Sequence, residues 1–77
     1  MDELQLIEGC RKGDRRAQKA LYETYSRKMM SVCLRYVSDW ETGRDLLQGG
    51  CVKVVTRIDS YTGNGSFEGW IRKIFVN

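Results

Sequence analysis

The sequence predicts an all-α fold, a compact bundle of about four helices. Proline is absent from the 77 residues, and apolar residues recur at spacings of three and four in three of the four periodic stretches, the signature of helices with one buried face. The hydrophobic share of 42% and charged share of 30% are those of a soluble globular domain, well away from the disordered class.

The first helix is expected from about Asp2 to Lys12. Leu4, Ile7 and Cys10 form its stripe with Leu6 beside it, and Asp2 and Glu3 sit where the helix dipole favours acids. Gly13 ends it and Asp14 suits the N-cap of a second, longer helix. There Leu21, Tyr25, Met29, Val32 and Tyr36 recur at helical spacing, which predicts core packing. Ser38-Asp39-Trp40-Glu41 reads as a capping box opening a third helix. Leu47, Val54 and Ile58, with Leu46 and Cys51, give that helix an inner face as far as about Arg57. Gly49-Gly50 is its weak point, since two interior glycines together cost roughly 2 kcal/mol relative to alanine; either one glycine serves close packing or the helix bends there. Asp59 to Ser66 is a polar, glycine-rich loop in which an exposed Tyr61 would be unusual, and Ser66 can cap a last helix bearing Phe67, Trp70, Ile71, Ile74 and Phe75. That helix reaches Asn77 with no terminating glycine or proline, so a cut within the helix is expected.

A chain of this length makes one domain. It hides only about 60% of the surface its unfolded form exposes, so an obligate binder or a piece of a longer protein is expected. No apolar run is long enough to cross a bilayer, and the acidic start is unlike a signal peptide. A cytosolic address is the expectation.

Thirteen basic residues against ten acidic give a net charge of +3, compatible with nucleic acid without demanding it. The first 35 residues hold eight bases and five acids, with Arg11, Lys12, Arg15, Arg16 and Lys19 clustered; the remainder balances at five and five. A basic face near the first helix junction and a merely solvated helix surface explain that cluster about equally well.

Histidine is absent, so the commonest general base is missing and neither Ser-His nor Cys-His chemistry can be assembled. Cys10, Cys33 and Cys51 are odd in number and widely spaced, which disfavours a zinc site and favours buried, reduced thiols. Gly63-Asn64-Gly65 lacks the lysine and following hydroxyl residue of a phosphate-binding loop. The expectation is a protein that is not an enzyme and carries no cofactor.

The order Glu23-Thr-Tyr25, then Asp45-Leu46-Leu47-Gln48, then Tyr61-Thr-Gly63-Asn-Gly65-Ser66-Phe67-Glu68-Gly69-Trp70-Ile71-Arg72-Lys73-Ile74-Phe75-Val76-Asn77 resembles region two of a bacterial RNA polymerase sigma factor of the extracytoplasmic-function group. The resemblance covers Glu3 to Asn77, and its specificity lies in the spacing of motifs that are weak singly.

The resemblance implies a helical domain that docks on the clamp helices of the polymerase's largest catalytic subunit and engages the promoter minus-ten element as it melts. An anti-sigma factor is a further partner of such domains. The positions matching the polymerase contact are Asp45, Leu47 and Gln48, with Lys53 and Arg57 as charged neighbours. Without the resemblance, Asp45 and Gln48 read as a solvated face. The positions matching the loop that captures an unstacked base of the non-template strand are Tyr61, Thr62, Gly63, Asn64, Gly65 and Ser66. Glycines let backbone approach a base, Thr62, Asn64 and Ser66 supply donors and acceptors, and Tyr61 offers a stacking face. Read alone, the segment is an ordinary helix-connecting turn. On the last helix, Arg72 and Lys73 would hold phosphates, Asn77 would read a base edge or sugar, and Trp70 divides between bundle and DNA.

Two departures stand out. Where the family usually has an acid after Gln48 and then a large aromatic, this chain has Gly49 and Cys51, which puts the strength of polymerase binding in question. The second, helix-turn-helix domain of such factors, region four, has no counterpart in these residues. The competing reading is a helical protein-interaction module held by an anti-sigma or other regulatory partner, with little or no DNA contact. A helix-turn-helix repressor fits poorly, because the last helix is too apolar and its loop too long.

Overall fold

The computed structural model describes residues 1–76 and contains four α-helices: α1 (Glu3–Arg11), α2 (Arg15–Cys33), α3 (Trp40–Thr56) and α4 (Phe67–Val76). A 3-10 turn at Ile58–Ser60 follows α3. No strand occurs among the described residues. The radius of gyration is 12.1 Å, near the roughly 11.5 Å of a compact domain of this length.

Asp2 caps α1 through its side chain, which accepts from the Gln5 amide at 2.8 Å while the Gln5 side chain accepts from the Asp2 amide at 3.0 Å. Gly13 ends it in the left-handed region (φ +76°). There the Asp14 amide reaches back to the Gly9 carbonyl and the Gly13 amide to that of Cys10, the paired bonds that satisfy a helix C-terminus. Asp14 then caps α2. The junction is tight because Gly9 has no side chain, and a Cβ there would run into Ala17.

Sequence and structure differ in detail at several places. Leu4 is 73% exposed, whereas Leu6, Ile7 and Cys10 are buried; the packed face of α1 is centred on its second half, beside the Gly9 contact. Tyr36 is 62% exposed, because α2 closes at Cys33 and a tight turn, with the Tyr36 amide donating to the Cys33 carbonyl at 3.0 Å, carries it off the stripe. Asp39, not Ser38, caps α3: its carboxylate accepts from both the amide and the hydroxyl of Thr42. Those two bonds to the charged form hold the Asp39 carboxyl below its ordinary value.

The core contains Leu6, Leu21, Met29, Leu47, Val54, Ile58, Phe67 and Ile71, and no polar or charged side chain is buried among the described residues. Leu46 is 44% exposed and lies outside it. The central side chain is Phe67, fully buried. Tyr25 meets it edge-on at 5.8 Å, Tyr61 at 5.1 Å, and Trp70 lies nearly parallel to it at 5.8 Å.

Helix α3 runs unbroken through Gly49 and Gly50, and the two differ. A Cβ on Gly50 would collide with the ring of Phe75 from α4, whereas one on Gly49 would meet nothing within 4 Å. Gly50 therefore serves the α3–α4 contact, and Gly49 costs helix stability with no packing return. Replacing Gly49 by alanine should raise stability by about 1 kcal/mol, while Gly50→Ala should lower it through overpacking; urea denaturation of both variants reads the opposite signs.

Cys10 and Cys33 are buried and Cys51 is half-buried, all as free thiols. Burial pushes the Cys51 thiol from 9.0 up to about 11, with the neighbouring Cys33 adding to the shift. Because the folded value lies above the unfolded one, this thiol favours the fold fully below pH 9 and progressively less from pH 9 to about 11. Thiolate absorbance in the far ultraviolet should therefore rise at higher pH in the folded chain than in urea, and the lag should shrink in Cys51→Ala.

Candidate functional site

Two exposed surfaces carry the residues singled out in the sequence. The first is the segment between the 3-10 turn and α4. Gly63 and Gly65 take positive φ (+90° and +77°), a backbone region that side chains rarely adopt. They fold Thr62–Gly65 into a short exposed loop whose two ends are tied. At one end the Arg11 guanidinium donates to the Tyr61 carbonyl at 2.7 Å. Across the loop the Tyr61 hydroxyl donates to the Gly65 carbonyl at 2.9 Å.

Tyr61 therefore requires a correction. Expected as a stacking face, its side chain is 7% exposed, with its ring against Phe67 and Trp70. The apolar ring fills the core and the hydroxyl finds its one partner in the loop backbone, the arrangement a buried tyrosine needs. It shapes the loop and presents no free face to a base. Thr62, Gly63, Asn64, Gly65 and Ser66 are all exposed.

Beside the loop lies a small recess of about 150 Å³ lined by Asn64, Gly65, Ser66, Gly69, Trp70 and Lys73. Ser66 caps α4, its Oγ accepting from the Gly69 amide at 2.9 Å. Gly69 was not singled out in the sequence, yet a Cβ there would crowd that same oxygen at 2.8 Å. A glycine three residues after a capping serine was the available signal. Trp70 is half-buried, stacked on Phe67 on one side and bordering the recess on another. The recess thus combines an amide side chain, a hydroxyl, a lysine and an aromatic edge around bare backbone.

Not every expected residue converges there. Arg72 is exposed but does not line the recess; it lies one turn on from Glu68, whose carboxyl it helps to lower. The main cause of that lowering is Lys28, which reaches Glu68 at 2.8 Å and ties α2 to α4. Asn77 lies outside the described residues.

The second surface is the outer face of α3. Trp40, Glu41, Arg44, Asp45 and Gln48 line one shallow groove, and the Arg44 guanidinium lies 5.8 Å from the centre of the Trp40 ring. Asp45 also borders a cleft of about 330 Å³ with Leu46, Gly49, Lys53, Ile74 and Phe75. Asp45, Gln48 and Lys53 are exposed on this face. Leu47 is a second correction: it is 4% exposed and belongs to the core, so it anchors the helix and has no surface to offer a partner. Arg57 is exposed at the C-cap of α3, about 18 Å along the axis from Asp45 at 1.5 Å per residue. Trp40, 59% exposed, lies on the same face beside Asp45 and Gln48.

Among the described residues no group of three or more His, Cys, Asp or Glu could hold a metal ion, and no helix is long and apolar enough to cross a membrane.

Both surfaces fall within a stretch that known proteins share. The chain is 29% identical over 73 residues to the RNA polymerase sigma-H factor of Pseudomonas aeruginosa, a match covering 95% of this chain and 38% of that protein. It is 33% identical over 72 residues to the ECF RNA polymerase sigma-E factors of Salmonella typhimurium and Escherichia coli, covering 94% of this chain and 37% of each. The chain thus spans little more than a third of the length of the curated relatives it matches. Residues 21–77, from Leu21 in α2 through the whole of α3, the loop and α4, match the family model for sigma-70 region 2, and the chain belongs to that family.

Proposed function

We propose that residues 1–77 form the core-binding and minus-ten-binding domain of an alternative sigma factor of the extracytoplasmic-function group. In this reading the α3 face docks on the clamp helices of the RNA polymerase largest subunit, and the loop before α4 takes a base of the non-template strand as the promoter opens. The work is binding without catalysis or cofactor, in the bacterial cytoplasm.

The observation that carries the reading is the recess at the loop. Unstacking a base costs a few kcal/mol, so a receptor must return that energy through contacts made only to the extruded base. The recess supplies donors and acceptors from Asn64 and Ser66, an aromatic edge from Trp70 and a cation from Lys73 beside bare glycine backbone. Thr62 and Gly63 stand at its approach, and Arg72 and Asn77 are candidates for phosphate and sugar contacts further along the strand. Tyr61 contributes by holding the loop closed. On the other surface, Asp45 and Gln48 offer a carboxylate and an amide to basic and polar groups of a partner helix, with Lys53 and Arg57 further along the same helix.

Fluorescence anisotropy should show preference for single-stranded non-template oligonucleotide over the same sequence as duplex. Asn64→Ala and Lys73→Ala should each weaken that binding by about 1 kcal/mol, roughly fivefold, without changing the circular dichroism. Asp45→Ala should reduce capture of a clamp-helix fragment and leave oligonucleotide binding intact. Equal affinity for both DNA forms, untouched by the recess variants, would sink the minus-ten assignment.

A second reading, a module held mainly by an anti-sigma protein, is favoured by the bareness of the α3 face: Gly49 meets nothing, and Trp40 and Val52 are 59% and 61% exposed. Gly49→Glu separates the two. A severalfold gain in clamp-helix binding supports the polymerase-docking reading, and no change supports the anti-sigma reading.

A further inference from the structure

The positive charge of this chain is concentrated in one place. Residues 11–19 contain five bases and one acid, whereas the other 68 residues hold eight bases and nine acids. The whole net charge of +3 therefore originates at the α1–α2 junction, in Arg11, Lys12, Arg15, Arg16 and Lys19. All five are exposed.

Local structure does not account for this concentration. Arg11 and Lys12 lie at the C-terminus of α1, where cations suit the helix dipole, but Arg15 and Arg16 open α2, whose first turn contains no acid and whose dipole disfavours them. Arg15 and Lys19 are like charges one helical turn apart, which also opposes helix formation. Asp14, the one acid in the segment, is committed to capping α2. Among the described residues the two ion pairs are Arg11–Glu8 and Lys28–Glu68, so Lys12, Arg15, Arg16 and Lys19 are unpaired. Four unpaired cations, three of them on a helix start that they destabilise, point to a binding role for a polyanion.

Position says which polyanion. Arg11, at the edge of the cluster, donates to the carbonyl of Tyr61 at 2.7 Å, and α1 packs on the 3-10 turn that leads into the loop. The basic junction thus adjoins the base of the loop that carries the recess. The recess itself has few cations near it: Lys73 lines it and Arg72 is exposed on the same helix, while Lys28 is neutralised by Glu68. Affinity for DNA comes largely from phosphate neutralisation, which the loop surface cannot supply alone.

We propose that Lys12, Arg15, Arg16 and Lys19 form a second DNA-binding surface, which holds the phosphate backbone of the double-stranded segment adjoining the opened bases. The proposal rests on the minus-ten reading of the loop for its placement. It assigns sequence-independent attachment to the junction and base capture to the recess.

The test uses the 77-residue chain and its Lys12→Gln/Arg15→Gln/Arg16→Gln/Lys19→Gln variant, with circular dichroism to verify the fold. Two probes are titrated over a range of salt: a forked DNA with a duplex arm and a single-stranded minus-ten tail, and the tail alone. For the fork, the variant should bind at least about tenfold more weakly and the slope of log affinity against log salt should flatten by roughly three to four, since each of the four phosphates no longer neutralised accounts for about 0.9. For the tail alone, binding should change little. An unchanged fork affinity and slope would overturn the proposal, as would an equal drop on fork and tail. A variant that failed to bind clamp helices while keeping its fork affinity would assign the cluster to an acidic protein surface and overturn it as well. Fork binding that depends on the cluster, with no tail binding by the wild type, would leave the duplex contact standing and remove the base-capture reading alone.

Discussion

The ring of Phe67 touches aromatic side chains from three different segments: Tyr25 of α2, Tyr61 ahead of the loop, and Trp70 one turn along α4. It is fully buried, and deleting such a ring costs about 3–5 kcal/mol. A domain of this size has roughly 4–12 kcal/mol of stability in total. The site depends on the same ring. Tyr61 can hold its hydroxyl over the Gly65 carbonyl only because its ring is seated against Phe67, and Trp70 borders the recess at a fixed tilt because it stacks on that ring as well. Scaffold and site share one side chain here, so the loop inherits the rigidity of the core even though its own residues are exposed.

The α3 face obeys a different constraint. Its outward side has no such packing, and what holds it in position lies beneath it: Leu47 and Val54 in the core and the bare backbone of Gly50 against Phe75. Exposed residues on this face can change with little effect on the fold, whereas those one position round cannot. That is the arrangement expected of a surface whose specificity is set separately from its stability.

Much of this architecture was legible in the sequence, for identifiable reasons. Helical periodicity located all four helices, and Gly13, Asp14 and Ser66 act as the terminators and caps that their chemistry suggests. Two of the differences fall where neighbouring residues compete for one task. Ser38 was the expected cap of α3, and its neighbour Asp39 takes the place because a carboxylate can satisfy two donors of Thr42. Leu46 and Leu47 were both apolar, and only the three-dimensional path of α3 decides which faces inward. Tyr61 was the instructive case: exposure would be unusual for a tyrosine in such a loop, yet the resemblance implied a stacking face, and nothing local reveals that Phe67 and Trp70, further along the chain, enclose its ring. Gly69 entered the recess only once helix phase was known.

The bond between the Tyr61 hydroxyl and the Gly65 carbonyl has a consequence for how such a domain can diversify. Its acceptor is main chain, and so is the acceptor of the Arg11 bond at the other end. Neither tether reads the side chains at positions 62 and 64. The closure of the loop is therefore independent of the letters written inside it, provided that glycine remains at the two positions of positive φ. Selection can rewrite Thr62 and Asn64 without refolding the frame around them, so the chemistry of the loop can change by steps that leave the core untouched.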